Sequence, residues 1–164
     1  MRKLVSQGII MFAGLLATPV LPHTVDNTQV KDSNDDPRFE LLKRFFEKRG
    51  SPARAHVQDF ILAADRNELD WRLLPSISVV ESGGGKEYKN NNILGWGSSL
   101  EKFPSVKAGI HAVARRLSTS KLYKNKGVEG MLRTYNSNAD YPSRVKQVMY
   151  TISPARTPVL FLHD

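Results

Sequence analysis

A chain of 164 residues without a single cysteine cannot be a disulfide-stapled miniature and cannot build a thiolate metal site. Its 40% hydrophobic content suffices for one cored domain with terminal extensions, and no uninterrupted apolar run reaches the roughly 18 residues of a membrane-crossing helix. The net charge of +8 favours an anionic partner, and on charge alone a cell-wall polymer and a nucleic acid qualify equally.

The chain begins with a basic pair, Arg2 and Lys3, then an apolar stretch over residues 8–16, then Ala17-Thr18-Pro19. This order is that of a secretory leader, cleaved or kept as an N-terminal membrane anchor, so residues 1–24 are set apart from the fold. Residues 25–36 are polar and poor in core formers, and read as a linker. Asp36-Pro37 is a cap followed by a first-turn proline, and Phe39, Leu42, Phe45 and Phe46 form an apolar stripe that Gly50 ends. Ser51-Pro52 repeats the start signal ahead of Val57, Phe60, Ile61 and Ala64. Asp70 is placed to cap a third helix.

That third helix carries the chain's most informative stretch, from Leu73 to Gly85. Leu73, Ile77 and Val80 line one face, and Leu74, Ile77 and Glu81 line its edge. Three glycines follow and stop the helix, which leaves Glu81 in the last turn among apolar side chains. The helix C-terminus carries partial negative charge, and apolar neighbours disfavour a carboxylate. Both effects raise its pKa, as an acid for glycoside cleavage requires. The plain alternative is a solvated Glu in a fraying turn.

Residues 86–102 are a long loop or irregular lobe, rich in Asn and Gly, with room for a short strand over residues 93–96. Ser105 caps a helix whose inner face is Val106, Ile110, Val113 and Leu117. Val128, Met131, Leu132 and Tyr135 mark a fifth helix, which Asn136 breaks. Asp140-Tyr141-Pro142 opens a sixth, with Val145, Val148, Met149 and Ile152 inside. The expected product is an all-α domain of about six helices over residues 37–153, with an irregular lobe after the third and a tail over residues 154–164.

Three segments stand in order: Glu81-Ser82-Gly83-Gly84-Gly85-Lys86, then Asn91-Asn92-Ile93-Leu94-Gly95-Trp96-Gly97, then Tyr135-Asn136 followed by Asp140-Tyr141-Pro142-Ser143-Arg144-Val145, with Phe103-Pro104-Ser105 between the second and third. Together, over residues 69–152, they resemble the lysozyme-like superfamily of bacterial wall enzymes. The resemblance is to the glucosaminidase (endo-β-N-acetylglucosaminidase-like) type, with lytic transglycosylases close by. It implies an exported, monomeric, cofactor-free and metal-free hydrolase of β-1,4 links in peptidoglycan strands, acting in the periplasm or at the cell surface. Glu81 would be the catalytic acid and Tyr135 the hydroxyl that steadies the intermediate. Ser82, Asn92, Gly95, Trp96, Asn136 and Tyr141 would shape the substrate site. A second carboxylate would be Glu87, Glu101 or Asp140, or the substrate's own N-acetyl group would take its place.

Each auxiliary residue has a structural alternative. Trp96 stacks on a sugar or fills the loop's core; Asn92 binds an acetamido group or makes a turn; Tyr135 and Tyr141 pack their helices. His23, His56, His111 and His163 lack metal-site spacing. Two rival functions compete with the enzyme: a non-catalytic wall-binding protein, and a nucleic-acid binder using Lys121, Lys124, Lys126, Arg144 and Lys146. The export signal argues against nucleic acid as a partner.

Overall fold

The computed structural model describes residues 36–154; the expected leader (1–24), nearly all of the expected linker (25–36) and most of the expected tail (154–164) lie outside the described residues. The described residues are all-α, with six α-helices and one 3₁₀ segment and no strand among them.

Helix α1 (Pro37–Lys48) begins as the sequence indicates: Asp36 accepts the Arg38 N–H at 2.9 Å. Arg38 also grips Asp36 and reaches Asp65 at 2.7 Å, tying the start of α1 to the end of α2 (Val57–Asp65). Ser51-Pro52 opens a 3₁₀ turn (Pro52–His56) rather than α2 itself. The Ser51 hydroxyl caps nothing and instead donates to the Gly84 carbonyl at 2.6 Å, so this corner is tied to the end of the third helix.

Helix α3 (Leu73–Ser82) is the central helix, packed chiefly on α6 and also on α2. Leu73 to Ser78 are buried without a break, as expected of a helix enclosed on every side. Val80, expected in the core, is only half-buried, like its neighbours Val79 and Glu81. Asp70 sits two residues before the N-cap position, which belongs to Arg72; it accepts the Arg72 N–H at 3.0 Å and pairs with its guanidinium. Gly83, at φ 61°, takes the left-handed turn that ends α3, and the N–H groups of Gly83 and Gly84 satisfy the Val79 and Ser78 carbonyls.

Residues 83–105 form turns and no strand, so the stretch over residues 93–96 is irregular. Helix α4 (Val106–Thr119) starts where Ser105 accepts the Ala108 N–H at 3.1 Å, and its four inner-face residues are all buried. Helix α5 (Val128–Tyr135) is shorter and buries only Leu132 fully. Helix α6 (Tyr141–Ile152) has Asp140 at its N-cap position, but the carboxylate makes no capping bond. One continuous core runs from Leu42, Phe46 and Phe60 through Leu74, Ile77 and Ile110 to Val145 and Ile152. Among the described residues no helix is long and apolar enough to cross a membrane.

Candidate active site around Glu81

Glu81 lies in the last turn of α3, half-buried, one residue before Ser82 and two before the left-handed Gly83. Burial holds its carboxyl above the ordinary value of 4.5; the Tyr141 hydroxyl and the charge of Arg144 pull the other way without cancelling the rise. The Tyr141 hydroxyl is itself buried and falls short of hydrogen-bond geometry with any described partner, so it stands near Glu81 without forming a full bond.

The irregular lobe is pressed onto this carboxyl. Gly95 (φ 69°) comes so close that a Cβ there would stand 2.8 Å from the Glu81 carboxyl carbon, and closer still to one of its oxygens. Only glycine fits, for space as well as for backbone angle. Ser82 supplies the tie from below. Its buried hydroxyl shares a proton between the Ser78 carbonyl (2.9 Å) and the Ile93 carbonyl (2.7 Å) and accepts the Gly85 N–H (2.9 Å). Asn92 supplies it from within the lobe: its Nδ2 donates to the carbonyls of Trp96 (2.8 Å) and Glu101 (3.2 Å), and its Oδ1 accepts the Trp96 N–H (2.9 Å). Ser82 and Asn92 therefore spend their polar groups on holding the lobe, and neither presents a free group to a ligand. Asn90 and Asn91 hold positive φ angles and bind the carbonyls of Ser99 and Phe103, which is why this segment is rich in Asn.

Four aromatic rings continue from Glu81. Tyr141 stacks on Tyr135 at 6.0 Å with planes 3° apart; Trp96 meets the Tyr135 ring edge at 5.5 Å and the Tyr123 ring at 5.7 Å. The Tyr135 hydroxyl donates to the Leu94 carbonyl, and burial followed by the Glu81 charge pushes its pKa well up. Its proton is thus already committed to the lobe backbone. Trp96 is half-buried, with the Arg116 guanidinium 5.5 Å from its ring. Asn136 is half-buried after α5, and its Oδ1 accepts the Asn138 N–H at 2.9 Å, a local turn.

The three candidate second carboxylates differ in their partners. Glu101 is clamped bidentately by Arg116, at 2.7 and 2.6 Å, which holds its pKa below the usual range. Glu87 and Asp140 are exposed. Among the described residues, Arg144 is the charged group that bears on Glu81. No group of three or more His, Asp or Glu there is arranged to hold a metal ion. A surface hollow of about 470 Å³ is lined by Glu47, Gly50, Ser51, Pro52, Arg54 and Ala55, and does not include Glu81. Its charges are spent in the Glu47–Arg54 pair at 3.0 Å, so the chemistry points to Glu81 rather than to the hollow.

Sequence reasoning overlooked Tyr123 and Arg116 and gave Arg144 no place beside Glu81. Tyr123 lies in a turn after α4 with no periodic pattern around it, and Arg116 reads locally as one more cation on a helix. No protein-family model matches the chain, and no curated protein matches it in sequence.

Proposed function

We propose that the chain is an exported glycosidase that cleaves β-1,4 links in peptidoglycan glycan strands, with Glu81 as the general acid. One observation carries the reading: a half-buried carboxyl whose pKa burial raises, at the end of an apolar helix, where a run of four aromatic rings begins at Tyr141. The resemblance of the Glu81, Asn92 and Tyr135 segments to lysozyme-like wall enzymes points the same way.

The chemistry follows from what surrounds Glu81. Its proton passes to the glycosidic oxygen as the bond to the anomeric carbon breaks. Among the described residues no other carboxylate bears on the Glu81 pKa, and the acetamido oxygen of the substrate can bond that carbon and spread its charge. Glu81, now a carboxylate, then takes a proton from the incoming water. If a sugar hydroxyl of the same residue attacks instead of water, the enzyme is a lytic transglycosylase, which uses the same acid.

Mass analysis of fragments released from purified peptidoglycan tests both. The expected result is fragments with ordinary reducing ends, reduced about 10²- to 10⁴-fold in Glu81→Gln. Fragments lighter by one water, with an anhydro end, would identify the transglycosylase. No fragments from the wild-type protein would leave a wall-binding role and remove the enzyme.

A further inference from the structure

We infer that Arg144 is an anion-recognition residue at the rim of the Glu81 site, where its guanidinium takes a carboxylate carried by the glycan strand or its peptide branches. The inference rests on the glycan-cleaving reading and adds a substrate requirement to it.

Arg144 lies on the first turn of α6, three residues after Tyr141, so the two share a helix face. Tyr141 is the ring stacked on Tyr135 beside Glu81. Arg144 is exposed, and it forms none of the ion pairs among the described residues. Its neighbours are engaged. Lys146 and Arg133 share Glu129, at 2.6 and 2.7 Å, and Arg116 holds Glu101. Asp140 is four residues earlier, well placed for a helical pair, yet none forms. Arg144 is left as a cation whose field reaches Glu81 and Tyr141.

A cation spared from pairing beside a proton donor suits a substrate that brings its own negative charge. Arg rather than Lys suits a carboxylate, because its planar fork can donate two parallel hydrogen bonds. A neutral polymer of the same sugars would gain nothing from it.

The test uses binding, so that it survives failure of the catalytic reading. Full-length Glu81→Gln protein is titrated with soluble peptidoglycan strands, native or with their carboxylates converted to amides. Amidation is expected to weaken binding about tenfold. Adding Arg144→Gln is expected to cost a similar factor on native strands and nothing further on amidated ones, and Arg144→Lys is expected to recover part of the loss. Circular dichroism confirms that each variant folds. Equal binding of native strands with and without Arg144→Gln overturns the inference, as does an equal loss on both kinds of strand. Absence of fragment release by the wild-type protein, with this binding pattern intact, would remove the enzyme and keep the anion site.

Discussion

Glu81 occupies a position that costs the fold stability and that the proposed chemistry requires. Its pKa is raised by burial, so the folded chain binds its proton more tightly than the unfolded chain does. The associated stability is fully present below the ordinary carboxylate pKa and is lost as pH rises through the folded value. Glu81→Gln should therefore melt higher than wild type at pH 7 and alike at about pH 3, where both side chains are neutral; a melting series across that range checks it. The same shift bears on the activity profile: kcat/KM should fall with rising pH along a limb displaced upward from the ordinary carboxyl value. Gly95 is the second residue whose role is local. Gly95→Ala meets the Glu81 carboxyl and must hold a positive φ, a strain of about 1–2 kcal/mol before the clash is counted. The expected outcome is a variant that folds, melts lower and loses most of its fragment release, because the carboxyl is pushed from its place.

At the scale of elements, the unit that matters is α3 with the lobe folded back on it. The lobe has no ladder of its own, so side chains do the work of a sheet: Asn90, Asn91 and Asn92 bind its carbonyls, Ser82 ties it to α3, and the Arg116–Glu101 pair ties it to α4. Asn92→Ala leaves the Trp96 N–H and two carbonyls without partners, at a cost of about 1–3 kcal/mol. That loss should be local: hydrogen exchange should speed at the Trp96 amide while amides of α2 and α4 stay protected. Uniform loss of protection across the helices would mean that the lobe and the core unfold together. The helix starts were readable where a cap is a local hydrogen bond, as at Asp36 and Ser105. At Ser51 the start is that of a 3₁₀ turn and the hydroxyl bonds the distant Gly84 carbonyl instead of capping, while Asp70 accepts the Arg72 N–H two residues ahead of the assigned cap position.

Across the whole molecule, α3 and α6 form the axis on which the site hangs. Arg72, at the start of α3, donates to the Ser153 carbonyl just past the end of α6 at 2.6 Å while paired with Asp70 at 2.7 Å; both side chains are 8% exposed. Arg72→Ala removes the buried guanidinium with its bonds to Asp70 and to Ser153, and should cost about 3 kcal/mol or more. Urea unfolding checks this as a lower midpoint with an unchanged slope. The charge is also distributed at this scale. Most cations on the helices are paired, and Arg144 on α6 is one that forms no ion pair among the described residues.

The all-α class, the apolar stripes and the place of Glu81 in a terminating turn were all legible from the chain alone, because helical periodicity and glycine stops are properties of neighbours in sequence. The order of the Glu81, Asn92 and Tyr135 segments was legible too. What those segments do to one another was not. Gly95 resting on Glu81, Asn92 and Ser82 bound into the lobe, Tyr135 held by the Leu94 carbonyl, and Glu101 held by Arg116 all join residues far apart in the chain. Which polar group is free and which is already bonded depends on the partner that packing brings to it, and only the tertiary structure supplies that partner.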